Sequence, residues 1–316
     1  MRVPLPAAMI TTFKPMPDSR IRWWKLLIIG SVLLVAAGCS ALRVAYSNGP
    51  TLAWWQLDGW VDADRSQAPA VRAAIDRWFA WHRSTQLAPT AALLAEARAQ
   101  VMQPVTPEAL CRFNERVQTL TQPAIGRALE EAADLLPLLT EANFKAMETK
   151  AADERADDRE RFLQSDPAER RAEALERARK RFERLYGRLG EPQLAVLRDG
   201  LAELPLAPER WLADRERRQR EMLALLRRLQ AERAPREQRI AALRAIAAEG
   251  LQPADPERLA RQRKLVEANC ALAARLHNST TTAQRERARA NFLAWETDLR
   301  AVMAPPVGSA TAATST

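Results

Sequence analysis

The sequence predicts an all-α protein built from long amphipathic antiparallel helices in an extended bundle, with no sheet. Three observations carry that expectation. Only 10 of the 316 residues are Gly and 2 are Tyr, so the tight turns of a many-stranded sandwich or barrel are scarce. Long runs of Ala, Leu and Glu replace them, and apolar positions keep a helical period from residue 68 to residue 303. At 47% hydrophobic and 28% charged, the chain can bury a sizeable core in one large domain or two small ones.

The N-terminus differs from the rest. Arg20-Ile21-Arg22-Trp23-Trp24-Lys25 leads into the apolar run Leu26–Gly38, 13 residues long. As a helix this run reaches about 20 Å, short of a bilayer core of about 30 Å. Its length matches the apolar region of a secretory signal peptide, which ends in small residues before a cleavage site. Here those residues are Val35-Ala36-Ala37-Gly38, followed by Cys39. The arrangement resembles the bacterial lipobox, with Ala36 where Leu is commoner. The resemblance implies cleavage before Cys39 and triacylation of that residue, an anchor stronger than a single chain. Ser40, where Asp would favour the inner membrane, implies the outer membrane. Residues 1–38 are thus expected to be a lipoprotein signal peptide, with Met16 giving a conventional short basic lead.

Charge then changes meaning. The net +9 includes five bases against Asp18 in the first 38 residues, and the remainder balances 43 basic against 38 acidic residues. Between residues 148 and 188 the two signs interleave, as on a solvated, ion-paired helix. A nucleic-acid footprint would gather one sign on one face, so no nucleic-acid partner is expected.

Residues 39–67 are expected to form a lipidated, Trp-rich tether. Five of the nine Trp lie between 54 and 81. Trp54, Trp55, Trp60, Trp78 and Trp81 are expected to cluster, with Trp78 in the core and Trp54, Trp55 and Trp60 forming a partner groove, since exposed aromatics mark binding patches; so soon after a lipid anchor, the membrane interface is the alternative place for Trp54 and Trp55. After Ala68-Pro69, Val71, Ile75, Trp78 and His82 recur at i, i+4, i+7 and i+11 on one helix face, where His82 reads as structural. Further helices are expected at 90–102, 107–120, 122–135, 141–163, 168–188, 191–203, 209–230, 235–249, 256–277 and 282–302. They complete a helical periplasmic domain over 68–303, and the tail 304–316 has nothing to bury.

Cys111 and Cys270 remain after Cys39. In an oxidising compartment an even pair can form a disulfide, yet each also sits among helix-spaced apolar residues, where a buried free thiol is ordinary.

Several helix starts look alike: Val105-Thr106-Pro107-Glu108, Leu139-Thr140-Glu141-Ala142-Asn143, Leu189-Gly190-Glu191-Pro192-Gln193 and Thr280-Thr281-Thr282-Ala283-Gln284. Capping chemistry alone accounts for the pattern: a Thr hydroxyl for free amides, Pro or Glu in the first turn, then an amide at capping-box distance. Together with Tyr46-x-Asn48, the Trp54–Asp62 block, the Arg77–Arg83 run and Trp211-Leu212 followed by Arg217-Arg218-Gln219, these starts resemble an uncharacterised proteobacterial lipoprotein family, a domain of unknown function. More loosely, they are similar to the LTxxQ motif of the Spy and CpxP periplasmic helical chaperones, with Asn143 in place of Gln and Gly190 in place of Thr.

Motifs of catalysis are missing. The sequence has no His-Glu-x-x-His, Gly-x-Ser-x-Gly or Cys-x-x-Cys. His277 lies seven residues, about 10.5 Å, beyond Cys270 on a helix, too far for one zinc ion. No metal, no cofactor and no enzymatic activity are therefore expected. The sequence points to a periplasmic lipoprotein, held to the membrane by its lipid, that binds a protein partner as a chaperone-like or adaptor module. A structural tether touching peptidoglycan is the alternative.

Overall fold

The computed structural model describes residues 41–205 and 207–303. Within them are twelve α-helices and no strand. These are α1 (Ala41–Ser47), α2 (Gly49–Val61), α3 (Ala68–Thr85), α4 (Leu87–Gln100), α5 (Pro107–Leu135), α6 (Glu141–Phe162), α7 (Pro167–Tyr186), α8 (Glu191–Glu203), α9 (Pro208–Ala231), α10 (Arg236–Leu251), α11 (Pro256–Asn278) and α12 (Thr282–Met303). Residues 1–38, expected to be a signal peptide, Cys39, and residues 304–316, expected to be a tail, lie outside the described residues.

Local chemistry starts the helices. Pro107, Pro167, Pro208 and Pro256 each open one, where the missing N–H costs nothing and φ is already helical. Ahead of three of them, Thr106, Asp166 and Asp255 accept backbone N–H groups of the first turn, satisfying donors that the helix cannot.

Two expectations are corrected. The helices expected at 107–120 and 122–135 are one, α5, which runs through Pro123. Proline removes one ladder bond and usually breaks a helix. Here packing holds both halves: Leu129 and Ala133 sit against Ile240 and Leu243 of α10, Cys111 is joined to Cys270 of α11, and Trp78 Nε1 donates to the Ala124 carbonyl at 3.0 Å. The second correction concerns the tether. Residues 41–61 form α1 and α2, packed on the bundle, α1 against α12 and α2 against α3 and α6. Leu42 and Tyr46 join Leu87, Ala91 and Leu299 in one apolar cluster, which removes the freedom of a tether.

The core is divided among helix junctions. Leu189, Leu197, Leu272 and Leu276 fill the meeting of α7, α8 and α11. Val101, Tyr186 and Ala288 join α4, α7 and α12. Leu136, Leu229 and Ala234 close the turn between α5 and α6 against α9. Among the described residues no helix is long and apolar enough to cross a membrane.

Candidate functional site

Buried polar side chains form two sets of locks. In the first, Tyr186 Oη lies 2.8 Å from His277 Nδ1, and His277 Nε2 lies 2.8 Å from the Gln103 carbonyl. A carbonyl can only accept, so Nε2 carries the proton and Nδ1 accepts from the tyrosine. Burial pushes the His277 pKa down; the Gln103 carbonyl opposes this, and the Arg285 charge adds to it. Burial likewise pushes Tyr186 up to about 12, so the phenol remains a donor. The second pair, Tyr46 with His82 Nδ1 at 3.0 Å, pins α1 to α3. His82 stacks on Trp78 with ring centroids 4.7 Å apart, and burial lowers its pKa. The chain has two tyrosines and two histidines, and both pairs use them to join distant segments.

The second set is made of amides. Gln193 and Gln284 bond reciprocally, Nε2 to Oε1 in each direction at 2.6 and 3.0 Å. The same oxygens accept the Gly190 and Thr281 N–H groups. Gln67 and Asn143 make the matching pair at 2.8 and 3.1 Å, while Asn143 Nδ2 also donates to the Val61 and Asp62 carbonyls. The repeated helix starts therefore do more than cap. Asn143, Gln193 and Gln284, each third in its helix, and Gln67, just ahead of α3, all close their own turn and grip another helix start. Sequence reading missed Gln67, although Asp64-x-x-Gln67 has the spacing of the other starts and the Asp64 N–H donates to Gln67 Oε1 at 3.0 Å.

The tryptophan cluster is not assembled as expected. Trp54 is 7% exposed with the Arg72 guanidinium 3.9 Å above its ring, so it belongs to the core and not to a groove. α2 turns its next residue about 100° away, and Trp55 is 64% exposed. Trp60, Trp78 and Trp81 are half-buried. Among the described residues the aromatic contacts in this region join Tyr46, Trp78, Phe79 and His82, with no pair of Trp rings among them.

Cys111 and Cys270 are bonded, their Cα atoms 5.6 Å apart across α5 and α11. Among the described residues no group of three His, Cys, Asp or Glu could hold a metal ion.

A groove that the sequence reading did not single out lies between α6 and α9. Arg227 pairs with Glu141 and Glu148, Arg215 with Glu154 and Asp158, and Arg159 with Glu216. Rising numbers on α6 meet falling numbers on α9, so the two helices run antiparallel. Between them is an open groove of about 370 Å³ lined by Leu223 and Ala224 with Glu148, Arg155, Arg220 and Arg227. The hydrogen bonds from Glu148 and then Glu141 raise the Arg227 pKa, Arg220 is paired with Glu216 and Arg155 donates to the Gln219 amide oxygen, so the groove is walled by arginines that are largely compensated by carboxylates of the same two helices. Its signal in the sequence was Arg220, Leu223, Ala224 and Arg227, all within one face of a helix.

These features define an all-α helical scaffold, held together by disulfide, amide and Tyr–His ties. The family model DUF6279, described as a family of unknown function, matches residues 59–245. The chain belongs to that family. No curated protein and no solved structure matches it.

Proposed function

We propose that the protein is a periplasmic lipoprotein, anchored in the outer membrane through Cys39, whose helical domain binds a protein partner non-catalytically as a chaperone-like or adaptor module. The observation that carries the binding role is the α6–α9 groove. Leu223 and Ala224 offer it an apolar floor between walls of ion-paired side chains, Arg220 with Glu216 and Arg227 with Glu141 and Glu148, which suits an extended amphipathic segment whose apolar side chains dock between its own charges. The Cys111–Cys270 bond supports an oxidising compartment, and the lipobox-like Gly38-Cys39 supports the anchor.

The anchor is tested by fatty-acid labelling in cells: Cys39→Ala should abolish the label and leave an uncleaved precursor, and unchanged labelling would overturn it. The groove is tested with the purified mature protein and an aggregating unfolded client. Suppression of aggregation that is lost in Leu223→Asp, with the melting temperature unmoved, is the expected result. No suppression, with cofractionation on purified cell wall, would replace the module by the peptidoglycan tether.

A further inference from the structure

We infer that the exposed face of α2 is a membrane-seating surface that lays Trp55 into the lipid headgroup layer beside the anchor. The inference rests on the lipid-anchor reading of Cys39 and adds to it a defined face and orientation. Its first basis is where the exposed apolar side chains fall. Nine large hydrophobics are exposed among the described residues, and four of them, Val44, Leu52, Trp55 and Leu57, lie within α1 and α2. Spread over twelve helices, such residues need no explanation; on α2, Leu52 and Trp55 fall on one side, about 60° apart, and Leu57 on the other.

The second basis is charge. Around α2, the residues Thr51, Leu52, Trp55, Gln56 and Gly59 are all exposed. At 100° per residue they occupy one contiguous sector, opposite the buried Trp54. None of them is charged, and Asp58 is the helix's one ionisable residue. It borders the sector beside Thr51, and its Oδ1 is turned to accept the Ala63 N–H at the helix end. Elsewhere the exposed helix faces carry ionic groups, as on α7 with Arg171, Lys180, Arg181 and Arg184. A face without charge gains little from bulk water, whereas Trp prefers the membrane interface.

The third basis is distance along the chain, which selects a bilayer as the occupant. α1 begins at Ala41, two residues past Cys39, and two residues reach at most about 7 Å. The seven residues of α1 add about 10 Å. With the step across Asn48, the start of α2 therefore lies within about 25 Å of the acylated cysteine, so the face meets the bilayer at the high effective concentration of a short linker. One indole and one leucine, too weak to bind a membrane alone, then suffice to set the domain's orientation.

The test uses the full lipidated chain in phosphatidylethanolamine and phosphatidylglycerol vesicles carrying a brominated lipid that quenches tryptophan. The same sample is assayed for fatty acid on Cys39. The expected result is strong quenching that is mostly lost in Trp55→Phe and kept in Trp211→Phe, Trp211 being 42% exposed on α9. Equal quenching of the chain and of Trp55→Phe, with the fatty acid present, overturns the seating face and leaves the anchor intact. Absence of the fatty acid overturns both. A photo-crosslinker at position 55 that captures protein and no lipid in intact cells assigns the face to a partner instead, and also overturns it.

Discussion

The disulfide offers the most quantitative test of how this fold is held. Replacing both partners, as in Cys111→Ala with Cys270→Ala, removes the covalent tie without leaving a lone thiol, and Ala, being smaller than Cys, enters the buried 270 position without a clash. The two cysteines are separated by 159 residues, a loop that includes α6 to α10. Closing it in the unfolded chain removes entropy equivalent to about 5 kcal/mol at 25 °C. Native-state strain and residual structure reduce such figures, so about 5 kcal/mol is a ceiling and 2–4 kcal/mol the usual range. With a urea slope of roughly 3–4 kcal/mol per M for a chain of this size, the unfolding midpoint should fall by about 0.5–1.5 M. Far-ultraviolet circular dichroism reads it, on the oxidised protein and the double variant side by side. Coincident curves would show that the α5–α11 contact orders the chain without the bond, and would refute the reasoning.

Three further outcomes follow from the same structure. Gln193→Leu keeps the volume but removes the partner of the Gly190 N–H and of the Ser279 carbonyl and both bonds to the Gln284 amide, so it should destabilise by about 2–3 kcal/mol; a cycle with Gln284→Leu should show strong coupling, and additive costs would disprove the lock. Gly200→Ala places a Cβ about 2.3 Å from Leu272 Cδ1 and should cost about 1–3 kcal/mol, whereas Gly126→Ala, with open space around it in α5, should stabilise by up to about 1 kcal/mol; equal melting temperatures would contradict the close α8–α11 approach. The third concerns pH. Both imidazoles are depressed below their ordinary value, chiefly by burial, so the unfolded chain binds more protons and stability rises with pH in this window. Their contribution is full above about pH 6.5 and is lost as pH falls below it toward the folded values. Imidazole NMR resonances should therefore titrate below pH 6.5, and either histidine titrating above it would reverse the sign.

The helices were legible in the sequence because they are local: a 3.6-residue period, Pro at a first turn and Thr or Asp ahead of it act within a few residues, and α6 to α12 fall close to where those signals place them. Pro123 shows the limit. By local rules it ends a helix, and only the contacts of α5 with α3, α10 and α11 carry the helix through. The aromatic block shows it again. Trp54 and Trp55 are neighbours of the same type, and their separation into buried and exposed depends on which side of α2 meets α3, a fact with no local trace. Likewise the repeated helix starts display capping chemistry, but the pairing of Gln193 with Gln284 and of Gln67 with Asn143 spans 91 and 76 residues.

By itself the sequence determined the all-α class, most helix boundaries and the cysteines able to pair, because each rests on short-range chemistry or on composition. Tertiary structure alone decided that Cys111 meets Cys270, that each tyrosine takes one histidine, that α1 and α2 pack as part of the bundle, and that α6 and α9 leave a groove. Such pairings follow from how whole helices bury their faces against one another, and that is a property of the assembled chain.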